Sequence, residues 1–263
     1  YSGYLCGVLS AVFYGLNPFF AIPLYREALS VPNVLFYRFL AAVLMIAIYM
    51  AATKKSFRLP KKMIPAMIVE GGLLGLTCLF WFRSFSQMSS GLAATILYTY
   101  PAMIAAILAI FFREKISFRA GTGILLSFGG VAIISRGGGN AVSAAGIVNA
   151  LLSGLTYAIY TIIIRKSSLK KLPSETLTFY AMLLGDLVFL LMLRGGADMQ
   201  KIPSYTALGN LLGLALFTAL LSFLLLAVSV KKIGETKTAV LGALEPLTAV
   251  IIGIAVFSEA ISA

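Results

Sequence analysis

Four ionisable side chains stand deep inside apolar stretches of this chain: Arg38, Glu70, Asp186 and Glu245. A fifth, Arg83, lies nearer the end of such a stretch. A charge at the centre of a bilayer-spanning helix costs roughly 3 kcal/mol on insertion scales, so it turns toward the bundle interior or a wet cavity. The chemistry open to such groups is narrow: hold a polar solute, exchange a proton, or pair with a neighbouring helix. At about 1.5 Å of rise per residue, Glu70 and Glu245 fall in one layer of the membrane and Arg38 in another. Two carboxylates that approach each other in a low dielectric tend to keep one proton, which makes Glu70 and Glu245 the candidates for proton coupling. A structural hydrogen bond to a neighbouring helix is the competing role for Glu70 and Asp186. Arg38 suits either a solute carboxylate or a structural pairing.

Two of the polar candidates adjoin prolines: Asn17 precedes Pro18, and Glu245 precedes Pro246. A proline inside a span frees a backbone carbonyl and bends the helix, so the site is expected to face protein or a wet cavity. Pro18, Pro101 and Pro246 are therefore the expected helix breaks, and Asn17 and Glu245 the expected solute contacts. Tyr98 and Tyr157 join them as rings that clamp an apolar group from two sides. Tyr98 and Tyr100 are about 200° apart on a continuous helix, so at most one of them is expected to face the centre. Tyr14, Trp81 and Tyr160 supply apolar walls with polar tips. For Trp81 an anchor position at the membrane interface competes with that role.

The elements that must position these residues are apolar runs. Sixty per cent of the 263 residues are apolar and 11% are charged. A soluble core cannot use that much apolar surface, whereas a polytopic bundle needs it. Nine spans are predicted: Tyr4–Leu24, Val31–Met50, Met63–Ser84, Gly91–Phe112, Phe118–Ser135, Gly146–Ile164, Leu177–Leu193, Tyr205–Val230 and Thr238–Phe257. Gly71-x3-Gly75 and Gly209-x3-Gly213 are expected to let helices approach closely. The chain has no histidine, which excludes Ser-His-Asp and Cys-His sites. Cys6 and Cys78 lack metal-ligand spacing, so neither a disulfide, a metal nor a cofactor is expected. Gly137-Gly138-Gly139 lacks the Gly-Lys-Ser/Thr of a phosphate-binding loop and reads as a connector.

The chain repeats itself. Residues 94–117 and 239–262 share seven identities in 24 positions at a shift of 145, among them Pro101/Pro246 and Glu114/Glu259. Near the start, Ala11, Gly15, Leu16 and Arg26 align with Ala150, Gly154, Leu155 and Arg165 at a shift of 139. Fixed-period similarity of this kind marks a duplicated unit. The unit is five helices, with halves 1–136 and 142–263, and the second half is expected to lack its last helix, a tenth, beyond Ala263. Five is odd, so the second half must lie upside down relative to the first. Charge agrees. With the N-terminus in the cytoplasm, fifteen of the 21 Lys and Arg residues fall in inner loops and six elsewhere. The net charge of +12 is then a topology signal, with lipid as the partner and no nucleic acid.

Tyr14-Gly15-Leu16-Asn17-Pro18, Arg38, the stretch from Phe80 to Pro101, Leu155 through Lys166, and Leu244-Glu245-Pro246 with Glu259 follow one another in an order and spacing that resembles a known pattern. The chain is similar to the drug/metabolite transporter superfamily, specifically its EamA-type members of ten helices in two inverted repeats. Tyr14 stands where tryptophan is usual in that family. The resemblance covers nearly the whole chain. It implies an all-α polytopic bundle in the bacterial cytoplasmic membrane that exports small metabolites, amino acids or related amphipathic solutes, by alternating access. It also implies a central cavity lined by the first, third, fourth, sixth, eighth and ninth helices. An intramembrane enzyme or a non-transporting receptor is the alternative, and monomer and homodimer both stay open.

Overall fold

Runs of apolar residues without interior proline form unbroken helices, and each mid-span proline opens a new one. The computed structural model describes residues 2–113, 122, 143–233, 238 and 241–257. Its principal elements are α1 (Ser2–Gly15), α2 (Asn17–Arg26), α3 (Val31–Ala52), α4 (Ile64–Phe85), α5 (Ser90–Leu97), α6 (Tyr100–Phe112), α7 (Ala144–Lys166), α8 (Ser174–Met192), α9 (Tyr205–Gly213), a π-helical stretch Leu214–Leu221, α10 (Ser222–Ile233) and α11 (Leu244–Phe257). No strand occurs among the described residues. Seven of the resulting helices or joined helices run 19 to 25 residues and are apolar enough to cross a membrane. Twenty residues at 1.5 Å each span about 30 Å, the thickness of a bilayer core. The chain is an all-α polytopic membrane protein. The ninth predicted span is present as the 14-residue α11. The fifth, Phe118–Ser135, lies outside the described residues apart from Thr122, and Glu114, Glu259 and the Gly137–Gly139 connector lie outside them as well.

Three prolines follow helix breaks. Pro18 and Pro101 sit in the first turns of α2 and α6, where a missing N–H costs nothing. Pro246 follows a turn at Ala243. At the first break the chain repairs itself: Asn17 Nδ2 donates to the Tyr14 carbonyl at 2.7 Å, the group that Pro18 leaves without its helical donor. The expectation that each proline faces protein or a cavity needs correction at Pro101. Its ring is exposed, because a first-turn proline is tolerated without burial, and it is the broken backbone beside it that faces inward.

Helix α4 is the central packing element, covered by α7 on one side and α8 on the other. Against α8 the contact is made by glycine. A methyl group on Gly75 would stand 2.8 Å from the Gly185 carbonyl, and one on Gly71 would stand 2.4 Å from Leu184 Cβ. This is the close approach that small residues permit between membrane helices. Gly209-x3-Gly213 does not behave as such a pair. Gly213 lies under the Phe20 ring, but Gly209 meets nothing within 4 Å. Against α7 the contact is polar: Ser153 Oγ donates to the Thr77 carbonyl at 2.9 Å, and Thr77 Oγ1 meets Thr156 Oγ1 at 2.9 Å. A matching seam joins α1 to α10, where Ser10 Oγ donates to the Ser222 carbonyl at 2.8 Å and Ser222 Oγ returns to the Ser10 carbonyl at 3.0 Å.

Helices α3 and α8 lie side by side, with the Phe39 and Phe189 rings edge to face at 5.1 Å. Their two ends are tied by loops. At the start of α3 the Tyr37 hydroxyl donates to the Gln200 carbonyl at 2.6 Å, and the Gln200 N–H donates to Asn33 Oδ1 at 2.9 Å. At the start of α8 the Thr176 hydroxyl donates to the Ser56 carbonyl at 2.7 Å, and Lys55 pairs with Glu175 at 3.2 Å. Tyr37 and Thr176 are separated by 139 residues, the same offset that relates Gly15 to Gly154.

Candidate functional site

The breaks and polar seams surround a cavity at the centre of the bundle. One chamber, of about 50 Å³, is bounded by Ser10 and Tyr14 of α1, Leu74, Thr77 and Trp81 of α4, Tyr100 of α6, Ser153, Tyr157 and Tyr160 of α7, Ser222 and Phe223 of α10, and Glu245 of α11, with Leu97 at the end of α5. A smaller chamber of about 10 Å³ shares Tyr14, Trp81, Leu97 and Glu245 and adds Tyr98, Pro18 and Pro246. A liquid water occupies about 30 Å³, and pockets that hold small molecules run from about 300 Å³. The cavity is therefore narrow, with room for ordered water between its walls.

Helical geometry explains the lining. Leu74, Thr77 and Trp81 recur at intervals of three and four, so they form one stripe on α4, and Ser153, Tyr157 and Tyr160 form the facing stripe on α7. Tyrosine rings continue around the wall. Tyr98 and Tyr100 have centroids 5.5 Å apart, Tyr100 and Tyr157 4.8 Å at 89°, and Tyr157 and Tyr160 5.7 Å. The first two pairs are edge to face and the third is stacked, arrangements that hold rings in fixed orientations. Trp81 packs on Phe85 at 5.2 Å, is 4% exposed, and has no hydrogen-bond partner for its Nε1 among the described residues. Its burial sets aside the interfacial-anchor role. Glu245 lies in the first turn of α11, where the helix dipole favours a carboxylate. Among the described residues it is the only charged side chain that lines either chamber.

Of the residues singled out in the sequence, Tyr14, Trp81, Tyr98, Tyr157, Tyr160 and Glu245 meet at this cavity, with Pro18 and Pro246 at its smaller end. The remainder lie elsewhere. Asn17 is fully buried and spends its amide on the Tyr14 carbonyl. Glu70 is on the α4 stripe one turn before Leu74, 0% exposed, and neither oxygen has a partner among the described residues. Asp186 is buried on α8, away from both chambers. Arg38 is 1% exposed, sealed over the Phe82 ring at 5.0 Å, with one guanidinium nitrogen on Thr218 Oγ1 at 3.1 Å. It lines neither chamber.

Tyr100 is a correction. On a continuous helix it and Tyr98 point apart, but the helix breaks between them, at Thr99, and both rings reach the cavity. Ser10, Thr77, Ser153 and Ser222 are also additions, and nothing in an apolar span distinguishes such hydroxyls from ordinary helix-packing groups. A further cavity of about 90 Å³ lies between α3, α8 and α10, bounded by Tyr49, Glu175, Thr178 and Phe223 among others. Glu175 there is already paired with Lys55, and none of the residues singled out in the sequence reaches it.

A model of the family described as EamA-like transporter family matches residues 1–136 and 144–263. Among sequence relatives, an uncharacterized transporter of Archaeoglobus fulgidus is 30% identical over 208 residues, which cover 76% of this chain and 72% of that protein. The uncharacterized transporter YxxF of Bacillus subtilis is 26% identical over 198 residues, 72% of this chain and 61% of its own length. A crystal structure of another protein superposes with a TM-score of 0.70 over 99% of this chain and 90% of that one, at 16% identity, a likeness of fold alone.

Proposed function

From the premise that this chain belongs to the EamA-like transporter family, within the drug/metabolite transporter superfamily, and is a membrane transporter, we propose that it exports small amphipathic metabolites from the cytoplasm by alternating access. The observation that carries this reading is the central cavity, to which six separate spans contribute and which lies beside the proline breaks. Transporters place solute sites at such breaks, where irregular backbone lines a cavity and not lipid. The cavity is narrow here, and alternating access would widen it first toward one side of the membrane and then toward the other.

In this reading the halves 1–136 and 142–263 are inverted repeats that rock about the cavity, in a cytoplasmic membrane with the N-terminus inside. Tyr14, Trp81, Tyr98, Tyr100, Tyr157 and Glu245 contact the solute. Glu245 is the group that exchanges a proton during the cycle, and Glu70, one turn below the stripe, is the second carboxylate on the same route. Purified protein in proteoliposomes tests the reading. Flux of an amino acid or amine that depends on the protein supports it. Absence of flux across a broad panel of metabolites, with the protein folded and oriented, refutes it. Cysteines placed in the loop at 54–62 and in the loop at 194–204 should label from opposite faces.

A further inference from the structure

The chemistry of the cavity wall narrows the solute. We infer that the solute is recognised through an organic cation, a primary amine or quaternary ammonium head group, held by an aromatic cage closed with one carboxylate. This deepens the transporter reading and rests on it.

The chain carries a net charge of +12, yet among the described residues neither chamber is lined by a lysine or an arginine. The one charge is Glu245, which makes no ion pair among the described residues. Around it stand the tyrosine rings described above, with Trp81 across from them. The faces of such rings carry negative potential and attract ammonium groups, most strongly where water is excluded. Backbone dipoles at the cavity are mixed: α1 and α5 end there, at Gly15 and Leu97, whereas α2, α6 and α11 begin there, so the sign of the site is set by Glu245 and the rings. Pro101 also leaves the Leu97 carbonyl without its helical donor.

A carboxylate finds no counterpart here. The nearest candidate, Arg38, is 1% exposed behind Phe82 and engaged with Thr218, outside both chambers. Recognition of an amino acid would then use its ammonium end alone, and the amine made by removing its carboxyl group should bind at least as well as the parent.

Trp81 is the only tryptophan in the chain and lines both chambers, so its fluorescence reports on this site directly. The full chain in detergent is titrated with choline, with 3,3-dimethylbutanol as its uncharged isostere, and with leucine and isoamylamine as an amino acid and its amine. Choline and isoamylamine are expected to shift Trp81 emission saturably, the isostere to bind at least about 30-fold more weakly, and leucine to bind no better than isoamylamine. Glu245→Gln should bring choline and its isostere within about threefold of each other. Tyr100→Phe should keep choline binding while Tyr100→Leu loses about tenfold, a comparison that stands even where Glu245→Gln does not fold. Equal binding of choline and its isostere, or leucine binding far above isoamylamine, overturns the cation assignment and leaves the cavity as the solute site. Silence of Trp81 to all four probes overturns both.

Discussion

Glu245 and Arg38 are opposite charges buried in one bundle, and they differ in the space around them. Glu245 stands at a helix break, with two chambers and a wall of rings in front of it. Arg38 stands on an unbroken helix, packed between Phe39 and Phe82, with two of its nitrogens lacking a hydrogen-bond partner among the described residues. Both look alike as ionisable residues within apolar runs. The difference teaches that room, more than charge, separates a solute group from a structural one. The π-helical stretch Leu214–Leu221 brings Thr218 to the guanidinium, and the ring faces shield the rest of its charge. Arg38 is thus held by packing, at a cost that only its neighbours offset.

The comparison is broken or sharpened by substitution. Glu245→Gln should lower solute flux in proteoliposomes by about 100-fold, because removing one partner of a desolvated charge pair costs about 2–5 kcal/mol. Flux near the parental rate would place the solute elsewhere. Tyr98→Ala should follow, with flux reduced about tenfold and an unchanged gel-filtration profile, as expected for the loss of one aromatic contact. Gly75→Val should act on stability, not on the site. The added carbons meet the Gly185 carbonyl, and the thermal midpoint should fall by the equivalent of about 2 kcal/mol.

Asn17→Ala should destabilise by about 1–2 kcal/mol through the orphaned Tyr14 carbonyl, read as a lower thermal midpoint, while binding at the cavity changes little. The smallest effect belongs to Arg38→Met. Replacing a buried charge that has no ionic partner with an apolar residue of similar length is often neutral or stabilising, so flux should stay within about twofold. A severe loss of flux with intact folding would make Arg38 a solute group after all.

These two residues also mark what a sequence reveals and what it withholds. The class of fold is written in composition, and the Pro-x12-Glu pattern can be read twice, 145 residues apart. Prolines located the breaks to within a residue or two, because the missing N–H acts locally. Facing directions are less local. The 200° between Tyr98 and Tyr100 holds only while the helix is continuous, and the break at Thr99 cancels it. Asn17 is legible as a polar group beside a proline, but whether it turns to a solute or back to the Tyr14 carbonyl depends on one side-chain torsion. The hydroxyls of Ser10 and Ser222 acquire meaning only when α1 and α10 are set against each other, residues 212 apart in sequence.

The paired ties on α3 and α8 carry a mechanical consequence. A zip fastened at both ends does not part from either, and Tyr37 and Thr176 fasten the line between these two helices at its two ends, about 30 Å apart. The lines α1 with α10 and α4 with α7 are fastened differently, at mid-height by hydroxyls and near one end by a single exposed side-chain bond each, Lys232 Nζ to Ser2 Oγ and Asn149 Nδ2 to Gln87 Oε1. The mid-height fasteners are serine and threonine hydroxyls on backbone carbonyls. A hydroxyl that leaves one carbonyl can take water or the carbonyl of its own preceding turn, so each release costs about 1 kcal/mol at most. The line between α3 and α8 is thus the keel of the bundle, bolted at both ends, and the two lines beside it are buttoned and yield at lower cost.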